Sequence, residues 1–140
     1  MIKLKTFGSF TVGNGLTSVQ EGAWRSEKLE KLFVYLAMNR NRGVCIEDIS
    51  EAIWQVEEET DNPVGALKNL AYRLRKALRD ASFGEECIVS VRGGLYKWND
   101  DVEVTIDVEE FDRYINEAEM AFCRSKETAI ESYEKAIALY

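Results

Sequence analysis

The apolar positions of the chain follow two periods. From Ile2 to Val19 they alternate, with Ile2, Leu4 and Thr6 set against Lys3, Lys5 and Phe7, and Ser9–Val12 continuing beyond Gly8. A period of two belongs to strands with one buried face. Gly13-Asn14-Gly15 tolerates the positive φ of a tight turn, so Leu16–Val19 is expected as the third strand of a small antiparallel sheet. Beyond Ser26, a hydroxyl suited to capping a helix, the period lengthens. Leu29, Leu32, Phe33, Leu36 and Ala37 predict the buried stripe of a first helix, which Asn39-Arg40-Asn41-Arg42-Gly43 ends. A second, shorter helix is expected from Ile46 to Trp54, burying Ile49, Ala52 or Ile53, and Trp54. Cys45 holds its capping position with Asp48 three residues on, the spacing of a capping box with a thiol in place of a hydroxyl.

The third helix is the most informative stretch. It opens on Pro63, the chain's one proline, where a missing N–H costs a helix nothing. Leu67, Leu70, Ala71, Leu74 and Leu78 form its apolar stripe, while Lys68, Asn69, Tyr72, Arg73, Lys76 and Arg79 point the other way and Arg75 sits on the border. Cys87–Val91 and Leu95–Trp98 then flank Arg92-Gly93-Gly94 as a hairpin with a basic glycine tip. After Trp98 the helical period returns. Asp107 with Glu110 has capping-box spacing, Val108, Phe111, Ile115, Ala118 and Phe122 form an expected buried stripe, and a last helix from Lys126 is expected to bury Ala129 or Ile130, Tyr133, Ala136 or Ile137, and Tyr140. The apolar pattern runs to Tyr140 without a C-cap, so a fragment of a longer chain, or an unusually short one, is expected.

Composition narrows the function. With 140 residues and 46% hydrophobic content, one domain plus an appendage is the natural expectation. No stretch carries the roughly 18 unbroken apolar residues of a membrane helix, and the N-terminus has no signal-peptide apolar block. Cys45, Cys87 and Cys123 are far apart and odd in number, which suits small half-buried hydrophobes in a reduced, cytoplasmic setting. There is no histidine, no paired nucleophile and no metal-ligand spacing, so neither an enzyme nor a cofactor is expected.

The net charge of −7 opposes nucleic-acid binding only when averaged over the chain. From Pro63 to Trp98 seven cations against three anions leave +4, whereas from Asn99 onward four cations against twelve anions leave −8. The positive charge is concentrated on the third helix and the hairpin. Such a helix suits the major groove, its leucines anchored in a core while Arg and Asn meet phosphates and base edges. An Arg-tipped ribbon suits the adjacent minor groove.

In this order and spacing, four pieces carry a resemblance. They are Ile2-Lys-Leu-Lys-Thr-Phe-Gly-Ser-Phe-Thr-Val12, the end of the second helix with Ile49 and Ala52-Ile-Trp54, Ala66-Leu-Lys-Asn-Leu-Ala-Tyr-Arg-Leu-Arg-Lys-Ala-Leu78, and Val91-Arg-Gly-Gly-Leu-Tyr96. Residues 1–100 resemble the OmpR-type winged helix-turn-helix, in the variant that opens SARP-type and bacterial-transcriptional-activator-domain (BTAD) regulators. Residues 101–140 resemble the start of that family's tetratricopeptide-like activator domain. The resemblance implies an α+β winged helix with an N-terminal sheet and a C-terminal wing, binding double-stranded promoter DNA, often as tandem copies. It implies that Arg73 contacts base or phosphate beside Asn69, Tyr72 and Lys76. It also implies that Arg75 meets backbone or an internal acid, that Arg92 enters the minor groove, and that the 55–62 loop approaches RNA polymerase or its sigma subunit. Glu57, Glu58, Glu59 and Asp61 give that loop charge for a basic partner surface. Three departures stand out: Cys45 for the usual Ser cap, Leu95 where the wing commonly has a second glycine, and Tyr72 where relatives often carry a cation.

Two functions compete on these residues. One is a sequence-specific transcriptional activator. The other is a protein-interaction module on a winged helix that has lost DNA binding, favoured by the acidic tail and by Tyr72. An apolar Tyr133–Tyr140 face is expected to support homodimerisation or packing on the winged helix.

Overall fold

The computed structural model describes residues 1–15, 17–54, 62–81, 87–91, 95–122 and 124–140. The alternating N-terminus forms β1 (Ile2–Lys5), β2 (Thr11–Gly13) and β3 (Ser18–Gln20), paired antiparallel in sequence order. Ile2, Leu4, Val12 and Val19 turn inward, as their period requires. Asn14 closes the β2–β3 turn: its amide donates to the Thr17 carbonyl at 3.1 Å and its side-chain oxygen accepts from the Thr17 amide at 2.9 Å.

Three helices share one hydrophobic core with this sheet. In α1 (Glu27–Met38) the Ser26 hydroxyl accepts from the Leu29 amide at 3.4 Å, and the five expected residues are the buried ones. α2 (Ile46–Ile53) buries Ile49 and Ile53 rather than Ala52, with Trp54 half-buried at its end and packed on the core. α3 (Pro63–Asp80) is capped by Asn62, whose side-chain oxygen accepts from the Gly65 amide at 3.1 Å. The hairpin β4 (Ile88–Val91) and β5 (Leu95–Trp98) pairs Val91 with Leu95 and Ile88 with Trp98. A core of edge-on rings joins the layers: Phe33 lies 5.3 Å from Trp98, 5.7 Å from Trp24 and 6.3 Å from Phe10.

Cys45 occupies the α2 cap in extended backbone but makes no side-chain capping bond. Cys45→Ser restores a hydroxyl acceptor there. It is expected to raise stability by up to about 1 kcal/mol, visible as a higher urea midpoint with an unchanged slope.

Beyond the hairpin the chain returns to the first sheet. β6 (Val104–Ile106) lies parallel to β1, giving the order β3-β2-β1-β6. Periodicity did not signal this fourth strand, because three residues are too few to show alternation. α4 (Asp107–Phe122) and α5 (Lys126–Leu139) then form a helical hairpin, and α4 packs against β1 and β6.

The expected buried stripes of this hairpin need correction. Ala118, Ala129, Ser132 and Ala136 are buried, while Val108, Phe111, Ile115 and Tyr133 are half-buried or at the margin of the helix pair. Phe122, Ile130, Ile137 and Tyr140 are exposed. Helical spacing shows that a stripe exists; the close approach of two helices through small side chains decides which stripe is covered. Tyr140 nevertheless touches the winged helix, its ring 5.3 Å from Phe7, which also lies edge-on to Phe111 at 5.5 Å.

Asp107 does more than start its helix. Its buried carboxylate accepts from the Thr6 amide at 2.9 and 3.0 Å, the Thr6 hydroxyl at 3.0 Å, the Phe7 amide at 3.0 Å and the Val108 amide at 2.9 Å. The residue read as a local cap thus ties α4 to the end of β1. Asp107→Asn turns one acceptor into a donor facing other donors. It is expected to cost about 1 kcal/mol and to speed amide exchange at Thr6 and Phe7 relative to the Leu4 amide.

Candidate nucleic-acid interface

α3 has 18 residues, about 27 Å of helix at 1.5 Å per residue, long enough to lie along a duplex groove. Its stripe of Leu67, Leu70, Ala71, Leu74 and Leu78 is buried against α1 and α2. That burial fixes the rotation of the helix and leaves Lys68, Asn69, Tyr72, Arg73, Lys76 and Arg79 exposed on its outer face. Asn69, Tyr72 or Arg73, and Lys76 follow one another at three- and four-residue steps and so form one row. Arg75 is half-buried at the edge of the row, in keeping with its border position. Arg79 stands in the last turn, where a cation meets the negative end of the helix dipole. Tyr72 is 60% exposed, an aromatic ring set among cations. It suits stacking on sugar or contact with a thymine methyl better than a phosphate.

Strand β5 is held toward its tip end by a feature that spacing does not reveal. Val44, between α1 and α2, makes an antiparallel bridge to Tyr96, its amide donating to the Tyr96 carbonyl at 2.7 Å and its carbonyl accepting from the Tyr96 amide at 3.0 Å. A single bridging residue is too short for any period. At the other end of β5 the buried Trp98 indole donates to the Val102 carbonyl at 2.8 Å. Arg92 at the hairpin tip, and Glu57, Glu58, Glu59 and Asp61 before α3, lie outside the described residues.

The acidic tail engages a different cation. Arg40, at the end of α1, donates through one guanidinium nitrogen to both Glu109 oxygens at 2.6 and 2.9 Å and to the Ala37 carbonyl at 2.9 Å. The hydrogen bond to Glu109 raises the Arg40 pKa, against an opposing effect of burial. The partners are 69 residues apart, so only the fold brings them together. The exposed row on α3 is accessible to a polyanion, and the tail packs on the β1–β6 side of the sheet.

The family model described as transcriptional regulatory protein, C terminal, matches residues 21–98. A solved structure of Mycobacterium tuberculosis EmbR, in complex with a low affinity phosphopeptide, is similar over 99% of this chain with a TM-score of 0.74 and 20% sequence identity. The chain spans 36% of that EmbR chain. At this identity the likeness concerns the fold, and it includes α4 and α5. No curated protein sequence matches. Among the described residues no helix is long and apolar enough to cross a membrane.

Proposed function

The chain belongs to the OmpR-type winged-helix family of transcriptional regulatory proteins, and on that premise we propose that it binds promoter DNA sequence-specifically and activates transcription. The observation that carries this reading is the exposed row Asn69, Arg73 and Lys76, on a helix whose other face is locked into the core. In the proposed complex α3 enters the major groove, with Arg73 and Asn69 reading bases and Lys68, Lys76 and Arg79 meeting phosphates. Arg75, half-buried, supports the row from its edge. Arg92, outside the described residues, is assigned to the minor groove by its place in the sequence between β4 and β5.

Residues 1–100 are read as the DNA-binding domain and residues 101–140 as the start of a tetratricopeptide-like activator domain. Support comes from the family match to residues 21–98 and from the likeness to a much longer chain that includes α4 and α5. The loop acids Glu57, Glu58, Glu59 and Asp61 are assigned to a basic surface of the RNA polymerase sigma subunit. Reversing their charge is expected to abolish activation in a reconstituted transcription assay while leaving DNA affinity intact. Loss of both together contradicts the assignment.

The experiment for DNA binding is fluorescence anisotropy with promoter-derived duplexes across a salt series. If about five phosphates are neutralised, affinity falls roughly 500-fold between 50 and 200 mM salt. A flat, weak response indicates instead the interaction module that has lost DNA binding.

A further inference from the structure

Away from α3, a groove of about 540 Å³ runs between the β1–β2 loop and the outer side of α1. That volume lies within the range of binding clefts. Its floor is apolar: Phe10 from the β1–β2 loop, Val34, Tyr35 and Met38 from α1, and Ala52 from α2. Met38 is 48% exposed, an unbranched side chain able to reshape around a ligand. Around the floor stand three carboxylates, Glu21, Glu27 and Glu30, against one ammonium, Lys31. The Glu30 carboxylate is held in place by the Gly22 amide at 3.0 Å. None of the α3 cations lines the groove.

The arrangement follows from α1 itself. Leu29, Leu32, Phe33 and Leu36 commit one face to the core, and Glu27, Lys31, Val34, Tyr35 and Met38 continue around the helix outside that stripe. An apolar floor beside three acids repels a polyanion, so DNA is not its ligand. The same pairing attracts a segment that combines positive charge with a bulky apolar side chain.

We propose that the groove between the β1–β2 loop and α1 docks a cationic segment of a partner protein. One aliphatic or aromatic side chain of that segment lies on Phe10, Val34 and Met38, and its lysines or arginines face Glu21, Glu27 and Glu30. The docked partner leaves α3 free, so the contact is independent of the DNA-binding reading.

The test uses the full chain, isotopically labelled, and an amphipathic leucine–lysine peptide of about 16 residues, the length class of groove-bound helices. A counterpart with glutamate for lysine is the control. Amide shifts are expected at Gly8, Ser9 and along α1 with the lysine peptide and not with the glutamate peptide. The double variant Glu27→Gln, Glu30→Gln keeps the Glu30 acceptor atom and removes two charges, weakening the peptide about fivefold. Met38→Ser is expected to weaken it as well, and both variants bind DNA as the wild type does. Shifts centred on α4 and α5, equal binding of both peptides, absence of binding, or affinity indifferent to both variants would each overturn the proposal.

Discussion

Arg73→Ala is expected to weaken binding to a selected duplex by about 1–3 kcal/mol, roughly 5- to 150-fold, and to relax preference at the base pair it faces. The expectation rests on position. Arg73 is exposed in the middle of the row, between Asn69 and Lys76, and the helix beneath it is anchored by Leu70, Leu74 and Leu78. Alanine suits an exposed helical site at least as well as arginine, so the fold is retained and the loss reports on recognition. Lys76→Ala is a useful contrast: without its ammonium on a phosphate, all sequences bind more weakly alike and the salt slope falls by about one unit. The reading fails if Arg73→Ala and Lys76→Ala behave identically to wild type on every duplex.

The largest effect on stability is expected at Trp98. Its side chain is 1% exposed, lies edge-on to Phe33 at 5.3 Å, and donates its indole N–H to the Val102 carbonyl at 2.8 Å. Removing the ring leaves a cavity beneath the hairpin, costing about 3–5 kcal/mol. The Val102 carbonyl also loses its donor. Against a typical domain stability of about 5–15 kcal/mol, that loss brings the variant close to unfolding. Trp98→Phe keeps an aromatic ring while losing the hydrogen bond, and is expected to fall between the wild type and Trp98→Ala. Urea unfolding followed by circular dichroism measures both; a change below about 1 kcal/mol for Trp98→Ala would place the hairpin outside the core.

Where side-chain period and local chemistry agreed, the chain was readable from its residues alone. The stripes of α1 and α3 came out residue for residue, because each is long, carries mostly leucine and faces a single core. The Asn14 turn and the helix starts at Ser26 and Pro63 were legible for the same reason, since each is a local demand met by a local residue. Tertiary choices were not legible. β6 pairs with a strand about a hundred residues earlier, Val44 joins the hairpin through one bridge, and Asp107 reaches back to Thr6. In α5 the pattern left Ala129 or Ile130 and Ala136 or Ile137 open. The structure buries the alanines, and Ile137 stays 71% exposed.

The candidate interface divides in the same way. Its α3 residues could be assigned to an outer face because the leucines fix the inner one. The acid that pairs with Arg40 could not be assigned, because Arg40 and Glu109 meet only across the fold. An overall charge of −7 therefore describes the molecule poorly: the acidic tail packs through α4 on β1 and β6, whereas α3 packs on α1 and α2.

Selection from a random duplex pool, run in parallel with the wild-type chain and with Arg73→Ala, addresses the central claim most directly. Enrichment of a defined sequence by the wild type, degraded or lost with Arg73→Ala, is the predicted result. Equal, unenriched recovery by both chains would contradict the account, since an exposed and rigidly held cationic row would then read no DNA.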